Sequence, residues 1–565
     1  MSKKKKVGFL KRIYSYSLPI YFAGALIAVK MVEAQVPLDT VPAWQSSVIA
    51  NVRDGALGDV DDDGDLDLAL AIDESENGIQ IYHNIGPFFE NEPSWIINCS
   101  GAIDVAWGDF DNDGDLDLAV ATTVAGPPAY GYCYLYKNTG DSLEHIPCWT
   151  SSIDNFFVWI GWGDVDNDGD LDLAAVGLFV SPRVYYNNDG VLETSPSWQA
   201  SDYNIDFVGA WGDVDNDGDL DLAVGSNFIN MPTRVYYNNA GVLENIAGWT
   251  TPYDHIGGLS WGDINDDGDI DLTGSTGAVT QSGSNVLWLN QGDSLETIPS
   301  WQSSDSAKWR RNALGDVDAD GDLDLAVAAG NDAGEVVYLN SNGIFSDSAD
   351  WYSSTYIHSR DIVWGDIDED GLVSSTDTLI GDGTKKLFYF SYTRIPLHSL
   401  DSIYIDDFLL PQSDYCYDLV SGWISMKNAP SNGSMIIIYY KYSIALDLVV
   451  SNKTRPCVLF QNTNVGIEET DDYIPMLGLT IFPNPFSQST IIECMTNEEN
   501  CLIEIFDIAG KRVRSLKGIS EFTGKRRILW NGTDLSGKKL PNGIYFCRLL
   551  SNNISMGTVK VIMLK

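Results

Sequence analysis

Clusters of aspartate at fixed spacing are the residues of this chain best suited to chemistry, and the chemistry they suit is cation binding. The pattern Asp-x-Asp-x-Asp-Gly occurs in seven copies, with Asn in place of the second Asp in one copy. Carboxylates crowded within a few ångströms repel one another unless a cation neutralises them. Oxygen ligands of this kind favour Ca²⁺ over Zn²⁺, which prefers nitrogen or sulfur, and over Mg²⁺, which needs a tighter octahedron. The sequence therefore predicts about seven Ca²⁺ sites.

In each acidic loop the predicted ligands are the side chains at positions one, three, five and nine and the backbone carbonyl at position seven. The last acid comes at position nine, not at position twelve as in an EF-hand, so it can begin a strand. The seventh loop is aligned on Asp377, which implies three inserted residues; a dockerin-like module is the alternative there. The predicted ligand residues are Asp59, Asp61, Asp63, Asp65 and Asp67; Asp109, Asp111, Asp113, Asp115 and Asp117; Asp164, Asp166, Asp168, Asp170 and Asp172; Asp213, Asp215, Asp217, Asp219 and Asp221; Asp263, Asn265, Asp267, Asp269 and Asp271; Asp316, Asp318, Asp320, Asp322 and Asp324; and Asp366, Asp368, Asp370, Leu372, Ser374 and Asp377.

The loops recur every 49 to 55 residues, a period that indicates one β unit copied around a ring. Each repeat has a Trp segment, a strand that ends in Gly-Asp, the acidic loop, an apolar strand and a strand followed by an Asn- and Gly-rich turn. Four short β segments at this period predict a propeller blade. The fold class is therefore all-β: a propeller of four-stranded blades followed by a small β-sandwich.

The blade count depends on a degenerate copy downstream of the seventh loop. Trp423, Ala445 to Val450 and Cys457 to Thr463 match the blade pattern, but the acidic loop is missing. This copy favours eight blades, with seven as the alternative, and makes residues 395–420 an insertion. The first Trp segment, at Trp44, precedes every loop, so we expect it to complete the last blade and close the ring.

The N-terminus and the charge bear on location and partners. Basic residues precede an apolar run from Leu18 to Val29, which is too short to span a bilayer, so residues 1–34 are predicted to be a signal peptide. An uncleaved anchor is the alternative, and no other stretch could span a membrane. A net charge of −46 argues against nucleic acid as a partner. None of the cysteines forms a CxxC pair, and disulfide pairing stays open.

The repeats resemble the FG-GAP/VCBS family, the integrin-α-like calcium-binding propellers, over about residues 44–466. The resemblance implies that calcium is structural and that the faces of the ring bind proteins or glycans. On this basis residues 35–470 are assigned to the propeller and residues 471–565 to a second domain.

The C-terminal segment resembles a different family. Phe482 to Phe486, Ile505 to Lys511 and Leu540 to Phe546 are similar to the type IX secretion sorting domain of Bacteroidota-like bacteria and to the related FlgD-type Ig-like fold. The resemblance implies contact with the secretion machinery and a secreted or cell-surface location in a bacterium. From its residues alone this segment predicts a small β-sandwich, and a plain structural cap is the alternative.

Two functions remain open on the sequence. The first is a secreted or surface-attached binding and adhesion protein for a glycan or protein, without enzyme activity. The second is a polysaccharide lyase or hydrolase, whose residues would be sought among His398, Asp401, Asp406 and Asp407 of the insertion. No GxSxG or HExxH motif is present. Aromatic residues outside the repeat phase are the candidate sugar platforms, and they are Trp159, Trp309 and Tyr203.

Overall fold

In a computed structural model, the chain divides into two compact units, residues 1–466 and residues 467–565. The structure describes residues 36–463 and 479–563 apart from short gaps, so the predicted signal peptide and Tyr203 lie outside the described residues. The gaps are 74–77, 124–130, 141, 153–154, 203–204, 229–230, 253–254, 278–281, 293, 331–333, 355–357, 391–393 and 454 in the first unit and 483–489, 496–500, 508–510, 518–524, 534–537, 542 and 552–553 in the second.

Six antiparallel sheets of the first unit are each built from four consecutive strands. The second strand of each is buried on both faces because it lies in the middle of its blade, between two neighbouring blades. After β1 (Trp44–Gln45), the six sheets are β2 (Val52–Gly58), β3 (Asp67–Ile72), β4 (Ile79–Tyr82) and β5 (Trp95–Ile97); β6 (Ala102–Gly108), β7 (Asp117–Thr122), β8 (Cys133–Tyr136) and β9 (Trp149–Thr150); β10 (Phe156–Gly163), β11 (Asp172–Leu178), β12 (Val180–Tyr185) and β13 (Trp198–Gln199); β14 (Val208–Gly212), β15 (Asp221–Gly225), β16 (Thr233–Tyr236) and β17 (Trp249–Thr251); β18 (Ile256–Gly262), β19 (Asp271–Thr276), β20 (Asn285–Trp288) and β21 (Trp301–Gln302); and β22 (Trp309–Gly315), β23 (Asp324–Ala329), β24 (Val336–Tyr338) and β25 (Trp351–Tyr352).

The seventh blade is interrupted by an insertion that is longer than the segment 395–420 expected from the sequence. It leaves the blade after β26 (Ser359–Gly365) and forms two small sheets of its own, with strand orders β27-β33-β29-β30 and β28-β32-β31. A single 3-10 turn, Gln412–Asp414, lies within it. The insertion strands are β27 (Leu372–Ile380), β28 (Leu387–Tyr389), β29 (Leu397–Ile405), β30 (Phe408–Leu409), β31 (Tyr415–Asp418), β32 (Trp423–Met426) and β33 (Met435–Ser443).

The chain returns from the insertion to finish the seventh blade. β34 (Asp447–Asn452) and β35 (Val458–Phe460) join β26, and the order of the sheet is β1-β35-β34-β26. The degenerate copy that favoured an eighth blade therefore supplies the middle strands of the seventh. Among the described residues the ring has seven blades, so the alternative count is the correct one.

The N-terminal strand closes the ring, as the sequence predicted. Trp44 lies opposite Leu459 in the antiparallel pair of β1 and β35, and Ala43 N–H donates to the Leu459 carbonyl at 2.8 Å. On the inner side, Gly55 N–H of the first blade donates to Asp361 Oδ2 of the seventh at 3.2 Å. Both bonds join residues at opposite ends of the propeller sequence, so closure depends on contacts that are remote in the chain.

Hydrogen bonds from tryptophan indoles also join neighbouring blades. Trp107 Nε1 donates to the Ala56 carbonyl of the preceding blade at 3.3 Å, and Trp162 Nε1 donates to Ala106 at 3.2 Å. The same bond joins the fourth blade to the third, the fifth to the fourth and the seventh to the sixth. The Trp of the Trp-Gly-Asp pattern therefore holds five of the blades against the one before, whereas the first and sixth blades have Leu57 and Leu314 at this position.

Large side chains occupy the centre of the ring, and they correct one expectation. Trp159 packs its ring against Gly161 and Gly209 and is only 8 % exposed, and Trp309 is 2 % exposed. Arg311 of the sixth blade forms an ion pair with Asp104 of the second. Trp159 and Trp309 are therefore core residues, and the prediction that they serve as sugar platforms was wrong.

The second unit consists of two antiparallel sheets with one apolar core. The strand orders are β36-β37-β40 and β39-β38-β41-β42, and Ile492, Ile503, Trp530 and Tyr545 contribute to the core. The Ig-like connectivity stays a prediction. The strands are β36 (Leu479–Phe482), β37 (Thr490–Met495), β38 (Cys501–Asp507), β39 (Arg512–Lys517), β40 (Lys525–Trp530), β41 (Gly543–Ser551) and β42 (Ile554–Met563).

No helix in the described part of the chain is long and apolar enough to cross a membrane.

Removal of the closing indole should destabilise the whole ring. Trp44 is buried edge-on against Phe89, with ring centroids 5.2 Å apart. We expect Trp44→Ala to lower the free energy of unfolding by about 3–5 kcal/mol, the usual cost of deleting a buried Trp. Urea unfolding measures this, with Gln45→Ala, an exposed neighbour, as the control expected within about 0.5 kcal/mol. Equal stability of the two variants would contradict closure by this strand.

Candidate metal sites

Each acidic loop wraps around the carboxylate at its first position. In the first loop Asp59 Oδ1 accepts the N–H of Asp63 and Asp59 Oδ2 accepts the N–H of Gly64, both at 3.1 Å. The bend places Asp62 at φ 57° and Gly64 at φ 100°, the left-handed region that glycine adopts without strain. The first-position carboxylate accepts the glycine N–H in the other six loops as well. The motif Asp-x-Asp-x-Asp-Gly therefore folds its own backbone around its first residue.

The aspartate at position nine is almost completely buried in each of the first six loops. Asp67 is 1 % exposed; its Oδ2 accepts the N–H of Val60 at 3.2 Å, and its Oδ1 accepts the N–H of Asn84 at 2.7 Å. Because it is the first residue of β3, the strand and the loop are fixed together. As expected from the spacing, the last acid lies at the start of a strand.

The structure brings predicted ligand side chains together in the first four loops. Carboxylate oxygens of Asp109, Asp111 and Asp117 lie within 4.8 Å of one another, and the equivalent residues of the third and fourth loops do so as well. In the first loop Asp59, Asp61 and Asp63 form such a cluster. Positions one, three and nine therefore converge in the second, third and fourth loops, and positions one, three and five converge in the first, which is what a shared cation requires.

The oxygen atoms that face these clusters fit a hard cation. Several are buried and make no hydrogen bond among the described residues, which is costly for a carboxylate oxygen unless a cation or donor satisfies it. In the second, third and fourth loops the clustered ligands are carboxylates, and this donor chemistry matches Ca²⁺. The buried oxygens are Asp61 Oδ1, Asp111 Oδ1, Asp213 Oδ1, Asp318 Oδ1, Asp366 Oδ1 and Asp370 Oδ1.

Burial and mutual repulsion raise the pKa of these carboxyl groups when no cation is bound. Burial, with the nearby charges of Asp111 and Asp113, raises the pKa of Asp109 to about 6. Burial raises the pKa of Asp117 to about 8 even though it accepts a backbone N–H from Asn138. A bound divalent ion would reverse this balance by stabilising the charged form.

The side chains at position seven have a different role from the one their charge suggests. Asp170 Oδ1 accepts a hydrogen bond from Asn112 Nδ2 of the preceding loop at 2.8 Å, and Asp269 Oδ1 accepts one from Asn216 Nδ2 at 2.7 Å. These carboxylates connect neighbouring loops. At position seven the predicted ligand therefore remains the backbone carbonyl alone.

A ring of asparagines, which the sequence reasoning missed, links every loop to the one before it. The side chain of Asn187 donates to the Phe110 carbonyl of the preceding blade at 2.6 Å, and its backbone N–H donates to Asp172 Oδ1 at 2.7 Å. The signal was available, because an Asn follows the third strand of every blade at the same phase. The ring members are Asn84, Asn138, Asn187, Asn238, Asn290, Asn340 and Asn462.

The seventh site takes its ninth-position residue from beyond the insertion. Asp447 Oδ2 accepts the N–H of Ile367 at 3.0 Å, and Asp447 Oδ1 accepts the N–H of Asn462 at 2.7 Å. Asp377 instead lies within β27, opposite Ile438. The alignment on Asp377 was therefore wrong, because the insertion separates the glycine of this loop from its last acid. Leu372 and Ser374 also lie on β27, and their role as ligands stays a prediction.

The insertion covers part of the face that carries the acidic loops. The Tyr389 hydroxyl accepts the N–H of Asp213 at 2.9 Å, and Lys386 Nζ donates to the Asn167 carbonyl at 2.6 Å. Ser443 donates to Asp366 Oδ2 at 2.8 Å, within the seventh loop itself. The first-position acids of the fourth and seventh loops thus contact the insertion directly.

The residues named for an enzyme do not form one cluster. His398 is 5 % exposed, with Nε2 2.9 Å from the Gly64 carbonyl oxygen, and burial lowers the pKa of its imidazole. Asp406 and Asp407 occupy the turn between β29 and β30, at φ 49° and 69°. His398 and this turn lie at opposite ends of β29, so the strand holds them apart.

Family comparisons agree with this architecture. Residues 59–120, 164–224 and 316–373 match the FG-GAP-like repeat. FG-GAP-like repeats are therefore found in the propeller. Residues 480–564 match the secretion system C-terminal sorting domain. This FG-GAP propeller is thus joined to a type IX sorting domain, which indicates a secreted or cell-surface protein.

Solved structures resemble the chain only distantly. BBS1N in its complex with ARL6DN, soaked with lead, has a TM-score of 0.44 at 10 % identity and covers 77 % of this chain and 99 % of its own. The mercury-soaked crystal of that complex has a TM-score of 0.41 at 9 % identity and covers 77 % and 98 %. PorZ, a type IX secretion component of Porphyromonas gingivalis, has a TM-score of 0.27 at 11 % identity and covers 92 % and 82 %. No curated protein sequence matches the chain.

Two substitutions separate the two alignments of the seventh site. Asp447→Asn removes a fully buried carboxylate that accepts two backbone N–H groups. We therefore expect the free energy of unfolding to fall by about 1–3 kcal/mol. Asp377→Asn, on a partly exposed strand, should cost less than about 1 kcal/mol. Chemical denaturation of both variants measures the difference, and the reverse order of stability would restore Asp377 to the site.

Proposed function

We propose that this protein is a calcium-stabilised binding protein of the cell exterior, which attaches to an extracellular glycan or protein. The calcium part of the proposal is supported by the convergence of acidic side chains in the loops and by their unpartnered inner oxygens. Calcium would be held by the carboxylates at positions one, three, five and nine and the carbonyl at position seven. When bound, it supplies charge neutralisation that holds each loop against its blade.

The observation that carries the binding role is the outward face of the insertion sheet. Thr378, Ile437, Tyr404 and Leu409 lie opposite one another in a row across the four strands β27, β33, β29 and β30. Tyr439 lies in the next row on the same face, with its ring centroid 5.8 Å from that of Tyr404. The row combines aromatic, aliphatic and hydroxyl groups on one flat surface.

The two faces of this sheet differ sharply in exposure. Leu409 is 60 % exposed and Tyr439 is 39 % exposed, whereas Ile436 and Ile438, on the opposite face, are fully buried. Exposed apolar side chains that share one surface mark a contact site, and aromatic residues are enriched where such sites bind. The outward face of the insertion sheet is therefore the proposed contact surface for the ligand.

Other surfaces of the propeller fit a ligand less well. The insertion occupies part of the loop face through Tyr389 and Lys386, and the centre of the ring is filled by Trp159 and Arg311. The residues considered for a lyase or hydrolase are not gathered in one place. Binding without turnover is thus the function that the described residues favour.

Calcium removal should lower stability, and more strongly at higher pH. In calcium-depleted protein the pKa of Asp366 is about 6 and that of Asp447 about 8, above the value near 4 of an unfolded chain. Stability that depends on the protonated forms is present at low pH and is lost as pH rises through about 6 to 8. We therefore expect the melting temperature of depleted protein to fall between about pH 5.5 and pH 8.

Calcium should reverse that trend, because its ligands must be deprotonated. Each site at ten times its dissociation constant adds about 1.4 kcal/mol, so several sites together should raise the melting temperature by more than about 10 °C at pH 8. Differential scanning calorimetry with and without calcium, at both pH values, measures the effect. Identical melting curves, with metal analysis showing no calcium in the protein, would refute the calcium sites.

A glycan array probed with the purified chain tests the binding role. We expect Tyr404→Ser combined with Tyr439→Ser to weaken any detected interaction at least about tenfold, because aromatic contacts dominate such surfaces. Ile344→Ser, which alters a 70 % exposed apolar residue of the propeller, is the matched control and should leave binding unchanged. Release of unsaturated or reducing ends from a polysaccharide panel would show an enzyme instead.

A further inference from the structure

One position in every blade lies directly before the ring asparagine and beside the acidic loop of the same blade. In the seventh blade this residue is Gln461, whose Nε2 donates to Asp368 Oδ2, the third-position acid, at 2.8 Å. In the first blade it is His83, whose ring lies within 4.8 Å of oxygens of Asp61 and Asp67. The position therefore touches the metal ligands. Its occupants around the ring are His83, Lys137, Tyr186, Tyr237, Leu289, Leu339 and Gln461.

The second blade is the one that has a lysine at this position. Lys137 Nζ forms an ion pair with Asp111, the third-position acid, and lies 3.0 Å from Asp113 Oδ2, the fifth-position acid. Its stem passes the ring of Phe110, with Nζ 5.9 Å from the ring centroid. The ammonium group is thus bonded to two of the four carboxylates that would bind calcium in this loop.

We propose that Lys137 is the built-in cation of the second site, so that this site stays free of calcium at concentrations that fill the other loops. The proposal rests on calcium binding by those loops. An ammonium and a calcium ion that share Asp111 repel each other, and they compete for the same negative charge. The ammonium is tethered a few ångströms away, so its local concentration is high and does not depend on the calcium outside.

Lys137 makes charge neutralisation in the second loop independent of the calcium concentration outside the protein. Its loop has the same backbone bonds as the others, with Asp109 accepting the N–H groups of Asp113 and Gly114 at 3.0 Å. The loop therefore needs a counter-charge as they do, and Lys137 supplies it from within the chain. This blade stays neutralised when calcium is scarce, because its counter-charge is part of the chain.

A reciprocal exchange between the second and seventh blades tests the proposal. Lys137→Gln gives the second blade the residue that the seventh has naturally, and Gln461→Lys does the reverse. Native mass spectrometry of the full chain counts bound ions at about 5 mM calcium, above the dissociation constants of roughly 10⁻⁴ to 10⁻³ M typical of extracellular sites. We expect Lys137→Gln to hold one calcium ion more than the wild type and Gln461→Lys to hold one fewer.

The outcomes separate this inference from the calcium proposal on which it rests. The same ion count in wild type and Lys137→Gln overturns the role of Lys137 and leaves calcium binding intact. A wild type that holds no calcium at all overturns both. Where Lys137→Gln does not fold, Gln461→Lys decides, and an unchanged count in that variant overturns the inference.

Discussion

The structure depends above all on one buried carboxylate in each blade, the aspartate that ends the acidic loop and begins the second strand. In the third blade Asp172 accepts one backbone N–H from its own loop, at Val165, and another from Asn187, at the end of the third strand. The Asn187 side chain then donates to Phe110 of the preceding blade. A single carboxylate thus connects loop, strand and neighbouring blade, and a cation in the loop would act on all three through it.

The sequence predicted the local features of this arrangement, but it predicted only some of the contacts between residues that are distant in the chain. The repeat period, the ligand spacing and the closing strand at Trp44 follow from patterns that the chain shows directly. The blade count did not, because the insertion separates Gly371 from Asp447, and a nearer acid, Asp377, imitates the missing one. Pattern matching within a loop cannot detect a partner that the fold supplies from beyond an inserted domain.

The sequence also did not predict the roles of side chains that depend on the geometry of the ring. Trp159 stands outside the phase of the other tryptophans, which is typical of an exposed contact residue, yet a ring of this size needs a large group near its axis and Trp159 provides one. The ring asparagines show the opposite case. They recur in phase and were visible, but an isolated Asn after a strand is typical of a turn, and its partner lies in another blade.

The closure of the ring has a mechanical consequence for a protein displayed outside the cell. Where the propeller ends, Thr463 N–H donates to the Pro37 carbonyl at 2.7 Å, and Asp39 N–H donates to the Gln461 carbonyl at 3.0 Å. A pull on the chain after Thr463 therefore loads the N-terminal segment in shear before it reaches the interior of any blade. Residues 36–45 therefore bear the load first, and proteolytic trimming there would weaken the ring under tension as well as at rest.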